Sequence, residues 1–197
     1  MSKQMQAKIL SEILSSIQVK QEILNDSKIL NQLQTLATEC ISSLLSGGKI
    51  IFAGNGGSFA DAQHISAEFT SRFLIDRAPL ASLALGTNNS AMSAIGNDYG
   101  YEQIFARELK GIARQGDVFI PISTSGNSTN ILAAVSVAKE LALTTMVWTG
   151  QSGGKLKVQI ECLCVPSSET ARIQECHILL GHILCGLVEA GCFNRES

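Results

Sequence analysis

The chain of 197 residues has three histidines, and all of them lie in two polar segments that could carry acid–base or metal chemistry. The first segment is residues 55–68 and the second is residues 172–182. In the first, His64 and Glu68 are four residues apart, so on a helix their side chains would be neighbours that could share a metal ion or move protons. A hydrogen bond on the helix surface would explain the same spacing. Together, the two segments predict an enzyme active site assembled from distant parts of the chain.

The second segment is predicted to be helical and carries Gln174, His177 and His182. Gln174 and His182 are eight residues apart, which is about 12 Å along a helix axis. That distance is long for two ligands of one metal ion, each of which would bind at roughly 2.1 Å. Both groups would reach one small substrate more easily if a neighbouring subunit supplied one of them, so we expect a site at an oligomer interface. His177 fits either this site or a buried packing position.

Hydroxyl groups are concentrated in the run Ser123-Thr124-Ser125-Gly126-Asn127-Ser128, which follows a predicted strand and precedes a predicted helix. Free backbone N–H groups and the positive end of the helix dipole would face these hydroxyls, and that combination binds phosphate without a lysine. A serine-rich turn that caps the helix is the structural alternative. The Gly-Lys-Ser/Thr signature of a P-loop is absent from the sequence. Because Asn55-Gly56-Gly57-Ser58 repeats the theme, we expect two anion-binding turns at one sheet edge.

The composition narrows the class of protein. Hydrophobic residues make up 45% of the chain and charged residues 16%, which is enough for a substantial apolar core. The net charge of −2 argues against a nucleic-acid partner, which requires a concentrated positive field. The N-terminus opens into polar helical sequence, and no run reaches the roughly 20 apolar residues of a membrane span. We therefore expect a cytoplasmic protein without membrane contact.

The six cysteines are expected to be reduced thiols in that compartment. Only Cys162 and Cys164 lie close together in sequence, and the alternation places both on one face of a predicted strand. Packing explains this pair better than a zinc clip does.

Two helices are predicted before the rest of the fold. Apolar residues recur at helical spacing up to Asp26-Ser27 and again from there to Gly47-Gly48, which indicates an N-terminal helical hairpin over residues 1–47. The first of these helices has a long apolar stripe that could pack against another subunit. Its residues are Met5, Ile9, Leu10, Ile13, Leu14 and Ile17.

Residues 48–197 show short apolar runs that alternate with helical segments. Such alternation predicts an α/β fold of three layers, in which helices cover both faces of a doubly wound sheet of about five parallel strands. The predicted strands are residues 49–53, 80–85, 118–122, 144–148 and 158–165. Pro121 in the third strand argues for a bulge or against a fully bonded central position. We expect one domain over residues 1–197.

Five motifs, in their order along the chain, resemble the phosphoheptose isomerases, which have the sugar isomerase (SIS) fold. They are Gly54-Asn55-Gly56-Gly57-Ser58, His64 with Glu68, Gly96-Asn97-Asp98-Tyr99-Gly100, residues 122–128 and residues 172–182. The resemblance covers nearly the whole chain. It implies a cytoplasmic homotetramer, with active sites at subunit interfaces, that interconverts sedoheptulose 7-phosphate and D-glycero-D-manno-heptose 7-phosphate. In bacteria this reaction begins the synthesis of activated heptose for surface polysaccharides, including lipopolysaccharide.

The resemblance also implies roles for individual residues. Glu68 and His182 would be the proton-transfer pair of an aldose–ketose isomerisation through an enediol. The resemblance implies one zinc ion per subunit and no nucleotide or redox cofactor. The matching zinc ligands are His64, Glu68, Gln174 and His182. The substrate-binding set would be Asn55, Gly56, Gly57, Ser58, Glu68, Arg72, Asn88, Asn97, Asp98, Ser123, Thr124, Ser125, Ser128 and Gln174.

Two positions depart from the family pattern. Asn88 stands where many members have an aspartate, and an amide can form hydrogen bonds but cannot act as a base. Glu169 replaces another aspartate and keeps its negative charge.

Two other functions are compatible with the same resemblance. Some SIS relatives are binding proteins, including a scaffold that associates with the bacterial replication initiator, but these lose parts of the acid–base pair that Glu68 and His182 provide here. An isomerase of another sugar phosphate is the second alternative, because the sequence does not give the length of the pocket.

Overall fold

The apolar runs of the sequence form a parallel sheet, and helices cover both of its faces. The computed structural model describes residues 2–193. The helices are α1 (Ser2–Asn25), α2 (Ser27–Leu45), α3 (Gly57–Thr70), α4 (Asn89–Tyr99), α5 (Ile104–Ile112), α6 (Thr129–Glu140) and α7 (Thr170–Phe193), with a 3₁₀-helix at Tyr101–Gln103. The strands are β1 (Ile50–Gly54), β2 (Ser82–Ala84), β3 (Val118–Ile122), β4 (Thr144–Thr145), β5 (Val147–Gly150) and β6 (Cys162–Val165).

The strand pairs are all parallel, and the strands lie in the order β2-β1-β3-β5-β6, with the short β4 beside β3. β1 and β3 pair along their whole length, from Ile50 opposite Val118 to Gly54 opposite Ile122. Every residue of these two strands is buried. A strand that is covered on both faces needs apolar residues at every position, which explains the continuous apolar runs in the sequence.

Alternate residues of the central strands point into two separate cores. Phe52 and Ile120 belong to the core that includes α2, α3 and α7. Ile51 and Phe119 belong to the core on the other face, which includes α5 and α6. The predicted three-layer fold is therefore confirmed. On β6, Cys162 and Cys164 both join this second core, as their alternation predicts.

The last predicted strands have different limits in the structure. The sequence predicts one strand over residues 144–148, but Met146 separates β4 from β5. It also predicts a strand from residue 158, whereas β6 begins at Cys162 and Val158 is 88% exposed in a turn. Hydropathy extended the prediction too far because an apolar residue in an exposed turn looks the same in sequence as one in a strand.

Pro121 lies in the central strand β3, where it was not expected. Its neighbours bond toward the same side: Met146 N–H donates to Phe119 O at 3.2 Å, and Ser123 N–H donates to Trp148 O at 2.9 Å. The N–H that a proline lacks would therefore face Met146, where β4 ends and β5 begins. Because the neighbouring strand is interrupted at that point, a proline is tolerated in a central position.

The two N-terminal helices meet at Asp26, whose carboxylate accepts hydrogen bonds from the N–H groups of Lys28 and Ile29 and caps α2. Only Val19 and Ile23 of α1 are buried. The predicted stripe faces solvent in this protomer. Its residues are 52% to 63% exposed, namely Met5, Ile9, Leu10, Ile13, Leu14 and Ile17.

Among the helices within residues 2–193, α7 alone is long and apolar enough to cross a membrane by length and composition. Its residues Leu180, Leu184 and Val188 are buried in the core shared with α2 and α3. The composition of α7 is therefore that of a helix in the protein core.

Candidate active site

Helices α3 and α7 lie side by side, and three of the predicted site residues meet between them. His64 Nε2 lies 3.1 Å from Glu68 Oε1. The ring centroids of His64 and His182 are 5.1 Å apart. One ligand atom from each of the three residues lies within 4.8 Å of the other two. We call these residues the His/Glu/His group; His64 is exposed and the other two are half-buried, so a substrate or an ion can reach them.

The close packing of α3 and α7 depends on Gly181, the residue before His182. A Cβ at this position would lie 2.5 Å from Ile65 Cδ1, so a larger residue would force Ile65 or α7 to move. The His182 ring also stacks on Phe73, with the centroids 5.7 Å apart and the planes at 20°. Helix packing thus sets the distances within the His/Glu/His group.

Asp61 is a further residue of this region that the sequence analysis missed. It lies one helical turn before His64 on α3. Burial raises the pKa of its carboxyl group, although the nearby His64 and His182 act in the opposite direction. Its Oδ2 atom is buried and has no hydrogen-bond partner within the described part of the chain. Its helical spacing from His64 and Glu68 is the pattern that could have revealed it.

The donor atoms of the His/Glu/His group suit a metal ion. Two imidazole nitrogens and a carboxylate oxygen are ligands that zinc accepts, and three protein ligands beside an open position are typical of catalytic zinc sites. Gln174 lies elsewhere in the protomer: its amide is beside Gly57, where a Cβ would be 2.5 Å from Nε2. Gly57 is seven residues before His64, about 10 Å along α3.

The two turns that were predicted to bind anions lie at the carboxyl edge of the sheet, after β1 and β3. Gly56 and Ser128 are the N-cap residues of α3 and α6, and neither makes a side-chain hydrogen bond to its helix. By contrast, Asp26 and Asn88 cap α2 and α4 through their side chains. The first N–H groups of α3 and α6 are therefore available to an anion.

The hydroxyl groups of the second turn, the serine loop (residues 123–128), differ in exposure. Ser123 is buried, Ser128 is half-buried, and their Oγ atoms are 3.1 Å apart. Ser125 is exposed, and its Oγ accepts a hydrogen bond from the N–H of Asn127. The loop thus has hydroxyl groups at buried, half-buried and exposed positions.

The last residue of β5 and the segment after β5 support the backbone of the serine loop, a contact that no pattern in the sequence indicated. Gly150 N–H donates to Thr124 O at 2.9 Å, and Leu156 N–H donates to Gly126 O at 3.1 Å. Gly126 has a φ of +65°, and a Cβ there would lie 2.1 Å from Gly153 O. No side chain fits at Gly126 unless the loop changes shape.

A cavity of about 230 Å³ lies between the serine loop and the segments that follow β5 and β6. Hydroxyl and amide groups form much of its wall, which consists of Thr124, Ser125, Asn127, Gly150, Gln151, Ser152, Ser167, Ser168 and Ile173. The polar residues at positions 151, 152, 167 and 168 could not be recognised from the sequence, because scattered polar residues in turns have no distinctive spacing.

Asn55 connects the first turn to the beginning of α6. Its Nδ2 donates to Asn130 Oδ1 at 2.9 Å, and Asn130 Nδ2 donates to Asn55 Oδ1 at 2.8 Å. Tyr101 adds a third hydrogen bond, from its hydroxyl to Asn55 Oδ1 at 3.3 Å. Asn130 and Tyr101 carried no sequence pattern that pointed to the site.

Four other predicted substrate contacts are not part of the His/Glu/His group in the protomer. Asn97 and Asp98 are exposed on α4, which packs with α5 on the opposite face of the sheet from α3 and α7. Asn88 Oδ1 accepts a hydrogen bond from Ala91 N–H and so caps α4. Arg72 is exposed just after α3.

His177 occupies the packing position that was one of its two interpretations. It is fully buried, with Nε2 3.3 Å from Thr149 O and its ring 6.0 Å from that of Trp148. Burial lowers the pKa of His177 to about 4, so its imidazole is neutral in the folded protein.

Comparison with known proteins gives matches over most of the chain. The SIS domain family matches residues 15–150. A phosphoheptose isomerase from Aneurinibacillus thermoaerophilus is 51% identical over 189 residues, covering 95% of this chain and 96% of the relative. One from Burkholderia pseudomallei (strain 1710b) is 47% identical with the same coverage, 95% and 96%.

Solved structures give the same result. The phosphoheptose isomerase of Francisella tularensis has a TM-score of 0.87 and 37% identity, covering 92% of this chain and 96% of its own. That of Neisseria gonorrhoeae has a TM-score of 0.87 and 40% identity, covering 93% and 99%. The chain therefore belongs to the SIS domain family, among its phosphoheptose isomerases, and is an isomerase enzyme.

Proposed function

We propose that the chain is an aldose–ketose isomerase that converts sedoheptulose 7-phosphate to D-glycero-D-manno-heptose 7-phosphate through an enediol. The observation that carries this proposal is the His/Glu/His group between α3 and α7. At the carboxyl edge of the same sheet, the N-termini of α3 and α6 have no side-chain cap and can bind an anion. A phosphorylated sugar needs both acid–base groups and an anion site. Relatives at 51% and 47% identity are named phosphoheptose isomerases, which supports the substrate class.

Glu68 and His182 are the proposed proton-transfer pair. A base removes the proton from the carbon next to the carbonyl group, and an acid delivers a proton to the carbonyl oxygen, which gives the enediol. The hydroxyl group on the first carbon then loses its proton and a proton is added to the former carbonyl carbon, which completes the isomerisation. Such groups contribute roughly 10²–10⁴-fold each to a rate. His64, 3.1 Å from Glu68, would orient the carboxylate, and Phe73 would limit the motion of the His182 ring.

One zinc ion per subunit would be held by His64, Glu68 and His182. Because the Gln174 amide of the same protomer lies beside Gly57, the proposed fourth ligand is Gln174 from a neighbouring subunit, and within the protomer Gln174 would be a substrate contact. Bound there, zinc would polarise the substrate carbonyl and favour negative charge on its oxygen. Isomerisation moves hydrogen within one molecule, so the reaction needs no nucleotide or redox cofactor.

The phosphate is proposed to bind at the two turns. Ser58, Ser123, Thr124, Ser125 and Ser128 would supply hydroxyls, and α6 would supply free N–H groups and the positive end of its dipole. Asn55, Gly56 and Gly57 would line the other turn. The absence of a side chain at Gly56 leaves open space in which the backbone can approach the substrate, and at Gly57 it leaves room for the Gln174 amide.

We propose that one domain, residues 1–197, assembles into a homotetramer with active sites at subunit interfaces. The exposed stripe on α1 supports an assembly, because covering each large aliphatic side chain contributes about 1.5–3 kcal/mol. The position of Asn97 and Asp98 on the face away from the His/Glu/His group supports sites that combine two subunits. Arg72 and Asn88 would contact substrate from the rim of such a site.

We further propose a cytoplasmic enzyme that produces heptose phosphate for bacterial surface polysaccharides, including lipopolysaccharide. The support is the set of relatives named phosphoheptose isomerases and the placement of the apolar helix α7 within the core.

The test is turnover of sedoheptulose 7-phosphate by the purified protein, before and after treatment with a chelator and then with zinc. We expect aldoheptose phosphate to form, to disappear with the chelator and to return with zinc. Turnover that resists the chelator would leave the reaction in place and overturn the zinc proposal. Absence of turnover in every condition, in a folded oligomer, would overturn the reaction and favour another sugar phosphate or a scaffold role.

A further inference from the structure

A buried ion pair lies behind the His/Glu/His group and takes no part in the chemistry described so far. Arg77 Nε is 2.7 Å from Glu189 Oε2, and the two side chains are 2% and 3% exposed. Glu189 also accepts hydrogen bonds from the backbone N–H groups of Phe73, Leu74 and Ile75, at 2.8 to 3.2 Å. Burial alone would raise the pKa of the Glu189 carboxyl, but these N–H groups and Arg77 hold the pKa below its ordinary value.

Arg77 binds the C-terminal end of α3 with its remaining N–H groups. Its Nη2 donates to Glu68 O at 2.9 Å, and its Nη1 donates to Phe69 O at 2.8 Å. Longer bonds join Nη1 to the carbonyl oxygens of Ser71 and Ala78. Carbonyl groups at the end of a helix have no partner within it, and a cation is favourable there. The guanidinium group therefore fixes the end of the helix that carries Glu68.

The same carboxylate holds Phe73 against α7. Phe73 Cε1 lies 3.6 Å from the position that a Cβ of Gly186 would occupy, and Gly186 stands between His182 and Glu189 on the helix. The Phe73 ring stacks on the imidazole of His182 at 5.7 Å. Phe73 thus connects the ion pair to the His/Glu/His group: its backbone N–H donates to Glu189, and its ring stacks on His182.

We propose that Glu189 and Arg77 are positioning residues for the active site: the carboxylate fixes Phe73 against His182, and the guanidinium fixes the end of α3 next to Glu68. A buried ion pair is weak evidence for added stability, because an apolar pair of the same volume is often as good. Fixing the position of neighbouring groups is a role that an apolar pair could not fill. This role rests on the proposed function, because Glu68 and His182 are the proton-transfer pair proposed there. The positions of these side chains can nevertheless be measured without turnover.

The first variant is Glu189→Gln, which keeps the shape of the side chain and removes its charge. The position of His182 is read from the imidazole resonances of the three histidines in labelled full-length protein. Stacking on Phe73 shifts the His182 ring protons upfield, and we expect Glu189→Gln to reduce that shift. We also expect affinity for zinc alone to fall about tenfold and kcat to fall about 10–100-fold, as for other changes behind a metal site, with KM changed less.

The matched control is Asp117→Asn. Asp117 is equally buried, accepts N–H groups from Lys49 and Arg114, and pairs with Lys49 Nζ at 2.6 Å. It lies at the amino ends of β1 and β3, opposite the edge that carries the serine loop. We expect this variant to lose stability while the His182 resonances, the zinc affinity and kcat stay at wild-type values.

The inference is overturned if Glu189→Gln keeps wild-type His182 resonances and zinc affinity, or if Asp117→Asn changes them as much. If Glu189→Gln does not fold, two other variants test the inference. Arg77→Lys keeps the positive charge but loses the guanidinium hydrogen bonds to the carbonyl groups of α3. Phe73→Leu keeps the ion pair but removes the ring that stacks on His182. Wild-type His182 resonances in Arg77→Lys, together with wild-type zinc affinity and kcat in both variants, would refute the role. If the wild-type protein shows no turnover while these resonances shift as expected, the proposed function fails and the positioning role stands.

Discussion

The two ends of the proposed site are built in different ways. The His/Glu/His group uses side chains from the middle of two long helices, so its distances depend on how α3 packs against α7. The serine loop uses hydroxyls and backbone N–H groups of a turn, whose shape is set by hydrogen bonds from the segment after β5. Proton transfer depends on one or two groups, whereas a phosphate is bound by many groups of similar strength. One substitution should therefore abolish function at the first end and weaken binding in steps at the second.

The largest effect is expected from Glu68→Gln, which removes a proposed proton carrier and keeps its shape. We expect kcat to fall roughly 10²–10⁴-fold with a small change in KM, because an amide cannot take up the proton. Steady-state kinetics of sedoheptulose 7-phosphate turnover would measure this. Glu140→Gln, on an exposed helix position, is the matched control and should have wild-type kinetics. Full activity in Glu68→Gln would break the contrast between the two ends.

A change in the backbone of the serine loop should come next. Gly126→Ala places a Cβ where Gly153 O stands and strains a positive φ, so the loop must change shape. Loss of two hydrogen bonds to the phosphate, at about 1.5 kcal/mol each, would raise KM on the order of a hundredfold. Kinetics together with a thermal melt would separate weaker binding from unfolding. Gly111→Ala, at a position with open space, should leave KM unchanged.

A single hydroxyl of the same loop should matter less. Ser125→Ala removes one exposed donor and leaves the backbone as it is, so KM should rise about tenfold while kcat stays within a factor of about three. Inhibition by inorganic phosphate should weaken in parallel. A fall in kcat with an unchanged KM would mean that the loop acts in the chemical step, and the two ends would no longer differ.

The smallest effect concerns His177, which lies on α7 between Gln174 and His182 but belongs to neither end. Because its folded pKa is lowered to about 4 from 6.5, its contribution to stability is complete above pH 6.5 and is lost as the pH falls toward 4. By pH 5 the free energy of unfolding should drop by about 2 kcal/mol.

Urea titrations of wild type and His177→Gln at pH 7 and pH 5 would measure the contribution of His177. The raised pKa values of Asp61 and Glu108 act in the opposite direction and remain in both proteins, so the difference isolates His177. The lowered pKa of Glu189 acts mainly below pH 4.5, outside this range. An equal pH dependence in the two proteins would contradict the buried, neutral state of His177.

Much of this fold could be predicted from local patterns. Apolar runs such as Ile50–Gly54 gave the buried strands, and Asp26 marked the start of α2, because burial and capping act on residues close together in sequence. The same patterns failed where burial depended on distant segments. Val158 has the hydropathy of a strand residue and lies in an exposed turn, and Pro121 is accepted in a central strand because a neighbouring strand is interrupted.

The sequence by itself determined the residue types of the site and their order, because the spacing of His64 and Glu68 places them on one helix face. It also determined the two glycine- and serine-rich turns, since a strand followed by a helix places them at one sheet edge. The family resemblance implied that His182 joins this pair, but only the tertiary structure decided that His177 is a buried packing residue. Both histidines lie on one helix, and the packing of α3 against α7 places His182 beside His64 and turns His177 toward Trp148. The tertiary structure also decided the support from Phe73, Arg77 and Glu189, because contacts between residues 77 and 189 leave no pattern along the chain.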